Sequence, residues 1–106
     1  MKKEALEIAK TFNKGRSWIN RVVIRVLRNT IIEVVPEKLW IVKGLPELGD
    51  KYTTYEVFRK DEKYYACTCR IHLWGHARTI CTHIGAVMLY RKIRKVEPGP
   101  GFEPGK

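Results

Sequence analysis

Four side chains of types that commonly bind metal ions fall into two short pairs in the second half of the chain. The pairs are Cys67-Thr68-Cys69 and Cys81-Thr82-His83, with 11 residues between them. Three thiolates and one imidazole form a common tetrahedral zinc set, with bonds of about 2.3 Å to sulfur and 2.0–2.1 Å to nitrogen. Four protein ligands leave no open position for water, so the sequence predicts one structural Zn²⁺ as the cofactor.

Two other interpretations of this pattern stay open. The cysteines could be ordinary reduced residues of a small core, with a histidine on the surface. Alternatively, His72 or His76 could replace His83 as the fourth ligand, because both lie in the segment between the pairs.

The one-residue spacing constrains the backbone at each pair. Residues i and i+2 point to the same side of a strand, so Cys67 and Cys69 can direct both sulfurs at one point. On a helix, residues i and i+2 lie about 200° apart. We therefore expect Cys81 to precede a helix, with Thr82 as its N-cap and His83 in its first turn.

The elements that must position these ligands follow from hydrophobic periodicity. Residues 3–13 are predicted to form an amphipathic helix that stops at Gly15. Residues 16–29 fit a helix capped by Ser17, but their β-branched residues also fit a strand. Ile31–Val35 and Leu39–Lys43 read as a hairpin, Tyr52–Arg59 and Tyr64–Cys67 as two more strands, and Ile84–Lys95 as a helix.

The predicted fold class is therefore α+β. It combines an N-terminal helical region, a three- or four-stranded antiparallel sheet, the Cys3His zinc site and a C-terminal helix. We expect a helical extension over residues 1–30, the zinc-binding domain over 31–95 and a flexible tail over 96–106, where Pro and Gly recur.

Composition narrows the classes of function and location. The chain has 106 residues, 21 Lys and Arg, 11 Asp and Glu and a formal net charge of +10. Three cysteines, an odd number, argue against a closed disulfide framework. With no apolar run of membrane-spanning length and no signal-peptide pattern, we expect an intracellular, cytoplasmic protein with no membrane partner.

The ligand pattern C-x-C followed by C-x-H resembles the SWIM zinc finger family. Leu39-Trp40-Ile41-Val42, Tyr55-Glu56-Val57 and Ala86 resemble that family's strand and helix positions, so the resemblance covers roughly residues 31–90. It implies a small ββα-type zinc module with proposed DNA-binding and protein-binding roles. One branch of the family associates with RecA-like recombinase paralogues. The resemblance and the Lys/Arg/Glu-rich composition together suggest an archaeal or archaeal-virus protein.

The positive charge is concentrated around the predicted zinc site. Residues 59–95 carry nine Lys and Arg but only two Asp and Glu. Cations neutralise phosphates, and an exposed indole can stack on an unpaired base. The candidate nucleic-acid contacts are Arg70, Trp74, Arg78, Arg91, Lys92, Arg94 and Lys95. A solvated basic face with Trp74 packed beneath its loop is the alternative.

Other basic and aromatic residues are less specific. If residues 16–29 are helical, Arg21, Arg25 and Arg28 share one face that either contacts phosphates or is simply solvated. Trp18 and Trp40 are predicted core residues. We also expect packing roles for Tyr52, Tyr55, Tyr64 and Tyr65.

The sequence thus predicts a non-enzymatic, zinc-stabilised module that binds nucleic acid, with DNA favoured, through a basic loop and the C-terminal helix. No catalytic set or phosphate-cradling loop stands out. The alternative is a protein-interaction adaptor that docks on a recombinase, transposase or other DNA-processing partner. Self-association is a third possibility.

Overall fold

The computed structural model describes residues 1–61, 64–70 and 80–96. Its helices are α1 (Lys2–Thr11), α2 (Arg16–Leu27) and α3 (Thr82–Val96). Its strands are β1 (Ile31–Val35), β2 (Leu39–Lys43), β3 (Thr54–Arg59) and β4 (Tyr65–Cys67). Short 3-10 turns occupy Pro46–Leu48 and Thr68–Arg70. This architecture confirms the predicted α+β class.

The four strands form one antiparallel sheet in the order β1-β2-β3-β4. The predicted hairpin has the expected limits, and β2 pairs with β3 so that Trp40 faces Val57 and Val42 faces Tyr55. Side chains alternate across a sheet, so these four residues share one face, and all are buried. That face is the floor of the core.

Two of the four tyrosines do not have the expected packing role. Tyr55 and Tyr65 lie on strands and are buried, whereas Tyr52 is 67% exposed and Tyr64 is 52% exposed. Both exposed tyrosines lie just before a strand begins. The alternation that buries every second strand residue therefore does not apply to them.

Helix α3 lies between the sheet and the other two helices. Its residues Ile84 and Val87 belong to the buried cluster that includes Trp40, whereas Leu89 belongs to a second cluster with Ile8 of α1 and Val22 of α2. The helical region over residues 1–30 thus packs directly on α3. Among the described residues, no helix is both long enough and apolar enough to span a bilayer.

The ambiguous segment after Gly15 is a helix, and its ends differ from the expected ones. Gly15, predicted to stop α1, is the N-cap of α2, so Ser17 lies inside the helix instead of capping it. Asparagines end both helices: Asn13 has φ 56° and Asn29 has φ 54°. Asparagine tolerates the left-handed conformation that a Schellman C-terminus requires.

The backbone hydrogen bonds confirm this type of terminus. After α1, the N–H of Lys14 donates to the carbonyl of Ala9 at 2.8 Å, and after α2 the N–H of Thr30 donates to the carbonyl of Arg25 at 3.3 Å. These bonds satisfy carbonyls that a helix end otherwise leaves unpaired. They also fix where the chain turns from α1 into α2 and from α2 towards β1.

Close contact between α2 and α3 depends on Gly85. A Cβ atom at this position would lie 2.5 Å from Cζ2 of Trp18 and 2.8 Å from Cγ2 of Val22. Neither distance is compatible with ordinary packing. The sequence therefore needs glycine here for helix approach.

We predict that Gly85→Ala lowers the free energy of unfolding by about 1–3 kcal/mol, because the added methyl group overpacks the helix contact. Chemical denaturation measures the loss. Gly85→Ala combined with Trp18→Phe should lose less than the sum of the two single variants, since the smaller ring removes the clash with Trp18 and leaves only that with Val22. Strict additivity of the two losses would contradict this account.

Candidate metal centre

The four predicted ligands come together at the junction of the sheet and α3. Their candidate ligand atoms all lie within 4.8 Å of one another, and three of the four residues are buried. Cys67 is the last residue of β4, and Cys69 follows in the Thr68–Arg70 turn. This group could hold a metal ion.

The helix side of the site supplies the other two ligands. Cys81 lies directly before α3, and His83 is the second residue of that helix, as the spacing required. Thr82, expected as the N-cap, is the first helical residue, and its hydroxyl accepts a hydrogen bond from Arg25 Nε at 3.1 Å. Thr82 therefore connects α3 to α2.

The orientation of His83 assigns a role to each ring nitrogen. Nδ1 lies 3.6 Å from Cys81 Sγ, and Nε2 lies 3.2 Å from Asp50 Oδ1. A tautomer with its proton on Nε2 would donate to Asp50 and leave the Nδ1 lone pair for a metal. A carboxylate behind a ligand histidine is the usual way in which proteins fix the ring and raise its basicity.

Asp50 is a residue of the site that sequence reasoning missed. It lies 33 residues before His83, in the loop between β2 and β3, and its Oδ2 accepts a hydrogen bond from the Leu45 N–H at 2.7 Å. Burial alone would raise the pKa of this carboxyl group. Hydrogen bonds from Arg25 and Leu45 outweigh that effect, so the pKa of Asp50 is lowered and the group stays ionised.

Arg25 is the counter-charge of Asp50. Its guanidinium forms a bidentate pair with the carboxylate, at 2.6 and 2.9 Å, and Arg25 is only 1% exposed. The expectation that Arg25 shares a solvated or phosphate-binding face with Arg21 and Arg28 is therefore wrong. Helical periodicity indicates only roughly which way the Arg25 side chain points. Its buried charge is tolerated because Asp50 pairs with it.

The aromatic ring of Tyr55 completes the support of His83. The two rings are stacked with centroids 4.0 Å apart. The Tyr55 hydroxyl in turn accepts hydrogen bonds from the backbone N–H groups of Lys51 and Tyr52. The histidine is thus held by a strand residue on one face and a loop carboxylate at its edge.

The three thiols lie close enough to share hydrogen bonds. Hydrogen bonds from Cys67 and Cys69 lower the pKa of Cys81, whereas hydrogen bonding to Cys69 and Cys81 and burial raise the pKa of Cys67. The cluster by itself therefore supports one thiolate and resists a second one close by. A divalent cation would remove that repulsion and allow all three cysteines to ionise.

Two of the predicted nucleic-acid contacts, Arg91 and Lys92, have partners within the domain. Arg91 donates to Glu37 and to the Tyr65 hydroxyl. Lys92 lies 3.2 Å from a carboxylate oxygen of Glu7. Arg91 is thus engaged within the fold, whereas the ion pair of Lys92 lies at the surface.

Arg94 is exposed, and its guanidinium donates to the Tyr90 hydroxyl at 2.8 Å. Trp74 and Arg78 lie outside the described residues, as do the side chains of Arg70 and Lys95. Their contact roles stay predictions.

We predict that His83→Ala abolishes stable metal binding, because it removes one of four ligands. His72→Ala and His76→Ala are matched controls and should retain about one metal ion per chain, as in a four-ligand site. Elemental analysis after dialysis against a weak chelator measures the content. Loss of metal from a control variant but not from His83→Ala would contradict this ligand assignment.

We further predict that Asp50→Asn weakens metal affinity by about 10–100-fold, the usual effect of losing a partner behind a ligand. It should also lower stability, because breaking a buried ion pair costs about 3–5 kcal/mol. Competition with a chromogenic chelator and denaturation measure the two effects. Asp61→Asn, an exposed carboxylate outside the site, is the control; equal losses in both variants would refute the role of Asp50.

Comparison with known proteins adds no assignment, since no family model, curated protein or solved structure matches the chain. The resemblance to SWIM modules therefore stays a prediction from the ligand pattern. What the structure shows is an α+β domain with a Cys3His cluster that could bind a metal ion.

Proposed function

We propose that this protein is a non-enzymatic module in which one structural Zn²⁺ stabilises a nucleic-acid-binding surface. The observation that carries the proposal is the Cys3His cluster, placed at the junction of β4 and α3 in a chain with a formal net charge of +10. The two parts of this proposal, the metal and the ligand, have separate support.

The donor set supports zinc as the metal. Three thiolates and an imidazole suit a borderline-soft cation of tetrahedral preference. Bonds of 2.3 and about 2.05 Å imply sulfur-to-nitrogen separations of about 3.6 Å in a tetrahedral site, and the Cys81 to His83 separation is 3.6 Å. Four protein ligands fill the coordination shell, which supports a structural and not a catalytic ion.

The supply of thiols supports an intracellular location. All three cysteines are free, and reduced thiols that can bind metal persist inside cells.

With three thiolates, the zinc-loaded site carries one net negative charge. The domain therefore keeps a large positive excess when it is loaded.

This excess supports a polyanionic ligand. Binding of nucleic acid by such a surface would rely on phosphate contacts and have weak sequence preference. DNA is the favoured nucleic acid because the spacing of the candidate metal-binding residues resembles that of the SWIM family. Arg94 is the predicted contact on α3 that the structure leaves exposed.

One observation favours the second candidate, a protein-interaction adaptor. The outer face and edge of the sheet expose large apolar side chains, with Ile32 at 47%, Val34 at 48% and Phe58 at 43%. Exposed apolar patches commonly mark protein interfaces. The adaptor would use this face to dock on a recombinase, transposase or other DNA-processing protein.

A salt titration separates the two candidates. We predict that the zinc-loaded protein binds short DNA at low salt. A plot of log affinity against log salt concentration should be a falling straight line. The slope should be about −0.7 per phosphate contact for a single strand and −0.9 for a duplex. Fluorescence anisotropy with labelled oligonucleotides of both kinds measures the slope.

Mutation of Phe58→Ser at the outer sheet face provides the control, since it should leave this affinity unchanged. Absence of binding to DNA and RNA at low salt would refute nucleic-acid binding and favour the adaptor.

A further inference from the structure

An open cleft of about 460 Å³ lies beside the Cys3His cluster. Among the described residues, its wall includes the ligands Cys69, Cys81 and His83. Three cations also line it: Lys14 before α2, Arg21 within α2 and Lys51 in the β2–β3 loop. These cations lie outside the basic stretch that the sequence singled out.

Two of the three cations have no acidic partner within the described part of the chain. Arg21 and Lys51 are exposed, and neither forms an ion pair there. By contrast, Arg28 and Lys92 have carboxylate oxygens at 2.7 and 3.2 Å. The charges of Arg21 and Lys51 are therefore available to an external anion, whereas Arg28 and Lys92 have surface ion-pair partners.

The acidic groups near the cleft do not cancel these charges. Asp50 lines the same cleft, but its carboxylate is already paired with the buried guanidinium of Arg25. A zinc-loaded cluster carries one net negative charge against the three cations. The cleft consequently remains positive when the metal is bound.

An aromatic ring stands at the rim. Tyr52 is 67% exposed and lines the cleft. Its backbone N–H donates to the Tyr55 hydroxyl at 3.1 Å, and the Tyr55 ring stacks on His83. The segment that carries Lys51 and Tyr52 is therefore anchored to a residue in contact with a candidate metal ligand.

We propose that this cleft is the binding site for a single-stranded nucleic acid. Phosphates would lie against Arg21 and Lys51, and an unpaired base would stack on Tyr52. Cationic grooves with exposed aromatic rings bind single strands in this way, whereas the faces of paired bases inside a duplex are not available for stacking. This inference rests on the proposed function and names both the ligand and the surface.

The test compares two charge-reversal pairs in zinc-loaded protein. Arg21→Glu with Lys51→Glu changes the cleft, and Lys38→Glu with Lys60→Glu makes the same change in net charge at exposed positions outside it. Labelled oligo(dT), oligo(rU) and a DNA duplex are the probes for fluorescence anisotropy. Zinc content and thermal unfolding verify that each variant is folded.

We expect the cleft pair to weaken oligo(dT) binding at least tenfold and to reduce the salt slope by about 1.4, the value for two lost contacts on a single strand. Tyr52→Ala should weaken it by about 5- to 100-fold, the range for one stacked base. The control pair should change the affinity less than threefold. Comparable binding of oligo(rU) supports a site for single-stranded DNA and RNA alike. A clear preference for oligo(dT) or oligo(rU) supports a site for single-stranded DNA or RNA, respectively.

Four outcomes would overturn the proposal. Equal losses in the two pairs would show a response to net charge alone, and tighter binding of the duplex would exclude a single-strand site. Normal binding by the cleft pair, with loss in Arg94→Gln, would move the contacts to α3 and leave the proposed function intact. Failure of the wild-type protein to bind any probe at low salt would refute both.

Discussion

The guanidinium of Arg25 is buried between α2 and the start of α3, and it donates to Asp50 and to the Thr82 hydroxyl. A buried charge without a partner costs several kcal/mol, so these segments must keep this arrangement when the chain folds. Asp50 also holds His83, whose other ring nitrogen faces Cys81. One ion pair thus fixes the relative positions of α2, the β2–β3 loop and the metal ligands of α3.

A metal ion at the Cys3His cluster would link two parts of the core. The ligands connect the end of β4 with the beginning of α3, and α3 lies between the sheet and the other two helices. A metal cross-link at this junction would add its binding free energy to the stability of the core. In return, the contacts of His83 with Tyr55 and Asp50 already orient its ring, which would lower the ordering cost of binding a metal ion.

The distribution of ion pairs changes the picture of the basic surface. Counting charges along the chain points to α3, yet Arg91 and Lys92 of that helix are engaged with Glu37 and Glu7. The positive charge beside the metal centre comes instead from segments that are distant in sequence. The outer face and edge of the sheet expose apolar side chains such as Ile32, Val34 and Phe58, so this surface differs in chemistry from the cleft.

Short-range patterns in the sequence determined the α+β class, the β1–β2 hairpin and the grouping of Cys67 with Cys69 and of Cys81 with His83, because each depends on residues a few positions apart. The residue types also indicated where the first two helices end, because asparagine tolerates the left-handed conformation that Asn13 and Asn29 adopt. Gly15 is nevertheless the more obvious helix stop signal. Only the tertiary structure decided that Arg25 is buried, that Asp50 supports His83 and that Arg21 and Lys51 line one cleft. Asp50 is 25 positions from Arg25 and 33 positions from His83. At such separations along the chain, packing and not periodicity decides which side chains meet.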